Sequence, residues 1–110
     1  DVGATSIATA LPSSTSLREL DVRCNGISDA GLVALAEGVA RMEQKPALVR
    51  LWGNVFRPGS DAAKAWWSLF RECERAGTPI KADVTCREVD GTVHVARMTE
   101  IGIKEVGNTF

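Results

Sequence analysis

The sequence predicts an α/β fold of stacked strand-and-helix units followed by a β-hairpin, and three observations carry that prediction. Residues 3–11 return as residues 31–39 at an offset of 28, so that Ile7 falls on Leu35, Ala8 on Ala36 and Leu11 on Val39. Residues 17–27 read LxxLxLxxNxI, with Val22 in the third apolar place, and residues 49–56 repeat the second half, which sets Asn54 29 positions after Asn25. After Ile80 the helical spacing gives way to alternation of apolar and polar residues. Self-similarity at a period of roughly 20 to 50 residues marks folds in which each unit completes its neighbour's core.

Taken in order, residues 1–11 are expected to be the helix of an incomplete repeat whose strand precedes Asp1. Alternate residues of a strand point to opposite faces. Leu20 and Val22 therefore enter the core, while Glu19, Asp21 and Arg23 face outward. Ser28 or Asp29 caps a helix to about Met42, whose inward stripe is Leu32, Leu35, Ala36 and Val39. Val49 and Leu51 repeat the strand with Leu48, Arg50 and Trp52 outward, and Pro46 departs from the apolar residue that Leu17 predicts there. Past Pro58 and Gly59, Ser60 or Asp61 opens a helix carrying Ala62, Ala65, Trp66, Leu69 and Phe70, which Gly77 and Pro79 stop. Terminal repeats must cover an open core, so Trp66, Leu69 and Phe70 are expected to form that cap. Residues 83–89 and 92–96 flank Asp90 and Gly91, the strongest short hairpin signal. Residues 101–106 fit a strand, a loop or a disordered end. The expected division is repeats over 1–77 and a tail with the hairpin over 78–110.

The unit from Leu17 to Val39 resembles the leucine-rich repeat in its long, ribonuclease-inhibitor-like variant, a short parallel strand followed by a helix in each unit of about 28 residues. The resemblance implies a leucine-rich repeat solenoid whose strands line a concave face. It also implies that Asn25 and Asn54 are structural, each sitting where the chain leaves a strand and capping backbone groups with an amide that can donate and accept. Trp52, Gly53 and Asn54, the helix after them, Asp83 with Val84, and VDGxVxxA over residues 89–96 together resemble the carboxyl end of the leucine-rich-repeat-containing protein thirty-four family. That likeness covers about residues 47–96. It implies an intracellular, non-enzymatic scaffold associated with testis or ciliated cells and with the nucleolus, and it carries no catalytic residues.

Composition narrows the function further. The 110 residues are 45% hydrophobic and 25% charged, and 13 basic side chains against 14 acidic ones leave a net charge of −1. Such a balance excludes a disordered or disulfide-dense chain and disfavours nucleic acid as a partner. Cys24, Cys73 and Cys86 are odd in number and widely spaced, which fits free thiols in a reducing compartment. No apolar run approaches the roughly 20 residues of a membrane span. His94, the one histidine, sits outward in a predicted strand, and with Cys73 and Cys86 it falls one ligand short of a structural zinc site. Residues 57–60 lack phosphate-loop spacing. The expectation is no enzyme, no metal, no cofactor, no small-molecule substrate and no membrane.

What remains is a surface for other proteins. Trp and Arg anchor interfaces more often than other side chains, so Trp52 and Arg50 lead the candidate contacts, with Arg23, Asp21 and Glu19 beside them. Trp52 lies level with Arg23, and three fates are open to it: contact with another chain, a cation–π pair with Arg23, or cover by the hairpin. The loop charges Arg41, Glu43 and Lys45 are expected to be solvated. The expected function is a cytoplasmic interaction scaffold in a large assembly, such as a ciliary axoneme. The alternatives are a module that controls an enzyme and a ribosome-assembly factor.

Overall fold

In the computed structural model, which describes residues 2–14, 16–100 and 104–105, helices and strands alternate. Helix α1 (Val2–Ala10) runs into a 3-10 turn (Leu11–Ser13), then come β1 (Glu19–Asp21), α2 (Asp29–Ala40), β2 (Leu48–Arg50) and α3 (Asp61–Arg75). They are followed by β3 (Lys81–Ala82), β4 (Val84–Val89), β5 (Thr92–Glu100) and β6 (Lys104–Glu105). The strands form two sheets, a parallel one in the order β1-β2-β3 and an antiparallel one in the order β4-β5-β6.

The parallel sheet follows from alternation and period together. Leu20, Val22, Val49 and Leu51 are buried and Glu19, Asp21 and Arg23 are exposed. Glu19 pairs with Leu48, Leu20 with Val49 and Asp21 with Arg50. That register equals the 29-residue offset between the two asparagines, so equivalent residues stand side by side. The pairing continues past the strands through Val22 N–H to Arg50 O and Cys24 N–H to Trp52 O, each 3.0 Å. Pro46 is fully buried and takes the apolar place that its sequence position demands, so it is not the departure expected.

The three helices pack in sequence order, α1 on α2 and α2 on α3. Ser60 caps α3, its hydroxyl accepting the Ala63 N–H at 3.1 Å, while the Asp29 carboxylate reaches across from α2 to accept the Ala62 N–H at 2.8 Å. In α1 the buried line is Ala4, Ala8 and Leu11, at i, i+4 and i+7. Ile7 lies one step around the helix from that line and is 41% exposed, so it does not fill the core place its match to Leu35 suggests.

Gly38 lets the α1 and α2 backbones meet. A Cβ there would lie 2.7 Å from the Ala8 carbonyl oxygen and 3.2 Å from its Cα. In an open helix, Gly to Ala stabilises by about 1 kcal/mol; here the obstacle is main chain and cannot swing aside. Gly38→Ala is therefore expected to lower the melting temperature, by about 1–3 kcal/mol of stability. A melt that rises would show that α1 yields.

β3 is absent from the sequence expectation. It adds a third parallel strand, with Leu48 opposite Lys81 and Val49 opposite Ala82, so the repeat sheet runs past the boundary expected at residue 77. Two residues with one inward side chain leave no periodic signal. The hairpin follows: Val89 pairs with Thr92 across Asp90 and Gly91, whose φ angles of 51° and 80° suit a tight two-residue turn. It rests on α3. Gly59 N–H donates to Val93 O and Met98 N–H to Asp83 O, both at 2.8 Å, and Val84, Val93 and Ala96 are buried.

The hairpin is thus the cover of this end, and the expected cap residues are placed differently. Trp66 is completely buried, donating its indole N–H to Leu32 O at 2.9 Å, because its bulk lies between α2 and α3. Leu69 joins the same core, and half-buried Phe70 meets the Trp66 ring with centroids 5.7 Å apart. Of the undecided segment 101–106, only Lys104–Glu105 falls within the described residues, paired as β6 with β5.

Candidate protein-binding face

The outward side chains of β1, β2 and the residues after them form one surface. Each strand contributes alternate residues, and the one-to-one register sets Glu19 beside Leu48 and Asp21 beside Arg50. Arg50 Nε donates to Glu19 Oε2 at 2.9 Å, an ion pair across the two units. Arg23 grips Asp21 with two side-chain bonds of 3.0 and 2.9 Å and adds its backbone N–H at 3.2 Å. Those bonds hold the Asp21 carboxyl below the ordinary aspartate value and raise Arg23. Such exposed pairs contribute little to stability, since water screens them. Their effect is to fix where the charges point.

Below this row the turns are stacked. Cys24 has a φ of 55° and its equivalent Gly53 a φ of 88°, both left-handed. A Cβ on Gly53 would come within 2.6 Å of Cys24 Sγ and 3.0 Å of its main chain, so glycine is needed for closeness as well as conformation. Asn54 ties the turns together. Its Oδ1 accepts from Asn25 N and Ile27 N at 3.2 and 2.9 Å, and its Nδ2 donates to Val22 O and Leu51 O at 2.8 and 2.9 Å. Exposed Asn25 donates to Arg23 O at 3.1 Å, within its own turn.

Trp52 is half-buried and stands in the row after Arg50. Its ring carries a guanidinium, but that of Arg97 on β5, 5.8 Å from the centroid. The pair with Arg23 is not formed, because Asp21 holds Arg23 in its own turn. Two residues that sequence reasoning missed as parts of this face are Arg97 and Asp83. Asp83 is 7% exposed, and its carboxylate accepts the backbone N–H groups of Leu51 at 2.7 Å and Trp52 at 3.2 Å. The one available signal was a lone aspartate between Ala82 and Val84. Together Asp21, Arg23, Arg50, Trp52, Asp83 and Arg97 border a cleft of about 520 Å³.

The other candidate groups are scattered. Among the described residues no cluster of three His, Cys, Asp or Glu side chains is placed to hold a metal, and no helix is long and apolar enough to cross a membrane. Cys24 is exposed, while burial raises the thiol of Cys73 and pushes that of Cys86 up to about 12. Arg41 and Glu43 are exposed as expected of loop charges, but Lys45 is half-buried and donates to Met42 O at 3.0 Å.

With this geometry in view, residues 13–36 match the Leucine Rich repeat family. The chain carries a leucine-rich repeat. The matched repeat holds β1, the turn through Asn25 and the first eight residues of α2. It stops short of residues 47–96, on which the likeness to the thirty-four family rests. No curated protein matches the chain.

Proposed function

We propose that this chain is a non-enzymatic protein-binding module, an interaction scaffold that uses the outer face of its parallel sheet. The observation that carries the reading is the row itself: Glu19, Asp21 and Arg23, all exposed, stand in register with half-buried Leu48, Arg50 and Trp52 on one face of the sheet. Stacked repeats offer such faces to other proteins, and a half-buried tryptophan beside arginines is the composition of an interface anchor. Asn25 and Asn54 serve the turns beneath it. As part of the same reading, the units stack as a solenoid and the protein works inside the cell. The first is supported by the register at the repeat period and the second by three cysteines without disulfides.

Trp52→Ala is expected to weaken a partner recovered with the protein by about 30-fold or more, the loss typical of an interface anchor. Circular dichroism should stay native, because the sheet bonds around residue 52 are made by main chain. Unchanged affinity of a native-like variant would remove Trp52 from the site.

A further inference from the structure

We propose that Arg97, laid over the Trp52 ring, is the seat for a carboxylate side chain of the bound protein. The inference rests on the binding role proposed above and names the chemistry of its partner. A guanidinium has five N–H donors in its plane, in a fork that matches both oxygens of a carboxylate. A guanidinium held over an aromatic ring by cation–π attraction uses none of its N–H donors in a conventional hydrogen bond, so they remain for a further partner. Among the described residues Arg97 makes no ion pair, and its guanidinium lies 5.8 Å from the centre of the Trp52 ring.

The neighbouring charges are already matched. Asp21 is held by Arg23, Arg50 by Glu19, and Asp83 by the Leu51 and Trp52 N–H groups. Of the three guanidiniums around the cleft, Arg23 is answered by Asp21 and Arg50 by Glu19, while the Asp83 oxygens are taken by main-chain N–H groups, which leaves Arg97 as the one without a carboxylate of its own among the described residues. Trp52 and Met98 give it apolar walls. A glutamate or aspartate flanked by apolar residues complements all of these features.

The test is a titration, followed at the Arg97 Nε–H and Trp52 indole N–H signals, with the blocked peptide Gly-Leu-Glu-Leu-Gly and its counterpart carrying Gln for Glu. The Glu peptide should shift both signals and bind about fivefold or more tightly than the Gln peptide, the scale of an exposed charge-assisted bond. Arg97→Met should abolish the difference, and Arg97→Lys should restore only part of it because the fork is gone. Arg97 is exposed, and the hairpin is anchored by main-chain bonds from Gly59 and Met98, so both variants should keep native spectra. Equal binding of the two peptides, a difference that survives Arg97→Met, or no titratable shift at millimolar peptide would each overturn the proposal. A protein partner that depends on Trp52 but ignores Arg97→Met would leave the binding role standing and remove the carboxylate seat alone.

Discussion

Trp66→Ala is expected to be the most damaging single substitution, lowering stability by about 3–5 kcal/mol, the usual range for truncating a buried aromatic. In a chain of this size that corresponds to a fall in melting temperature of about 15 °C or more. The indole has no exposed surface and its loss opens a cavity between α2 and α3, two helices packed against each other. Its N–H also reaches the Leu32 carbonyl, which lies within α2. Trp66→Phe separates the two contributions. The ring volume is largely kept, and the carbonyl retains the bond that helix geometry gives it, so the cost should be about 1–2 kcal/mol. A thermal or denaturant melt of the two variants checks both values. If the alanine variant costs no more than the phenylalanine one, Trp66 is not the packing element described here.

Asn54→Ala should cost about 2–4 kcal/mol and Asn25→Ala less than about 0.5, although both asparagines occupy the same place in the repeat. The carboxamide of Asn54 serves four backbone groups, two N–H and two C=O, drawn from both turns. Removing it leaves these groups with only partial access to water, at roughly 1 kcal/mol for each unmade bond in a half-buried setting. Exposed Asn25 makes one side-chain bond to a carbonyl two residues away, which water can replace. Urea midpoints at constant slope give the comparison. Equal losses would mean that Asn25 also binds something outside the described contacts.

The elements that were legible in the sequence are those in which several side chains repeat one signal. Leu20, Val22, Val49 and Leu51 mark two strands by alternation, the stripes of α2 and α3 mark helices, and Asp90 with Gly91 marks the hairpin. The candidate face was legible for the same reason, since an outward position and a 29-residue register together place Glu19, Asp21, Arg23, Arg50 and Trp52 in one row.

What was not legible depends on contacts between distant segments. β3 offers one inward residue, Ala82, and acquires its identity only by pairing with β2. Trp66 reads as a cover residue from its bulk, whereas a buried indole N–H needs a carbonyl, and only the packing of α3 on α2 supplies that of Leu32. Arg97 reaches Trp52 because main-chain bonds from Gly59 and Met98 fix the hairpin's orientation, and no local pattern encodes that.

Asp83 has a consequence for how the last turn is joined to the sheet. The amide of Asn54 gives and receives, so it hands the turn of one unit on to the turn beside it; a carboxylate in the corresponding role can only receive. Asp83, 29 residues after Asn54, gives one oxygen to the Leu51 N–H and the other to the Trp52 N–H. The join between β2 and the segment after β3 thus runs one way, with every donor in the main chain, where the join between the two asparagine turns runs both ways.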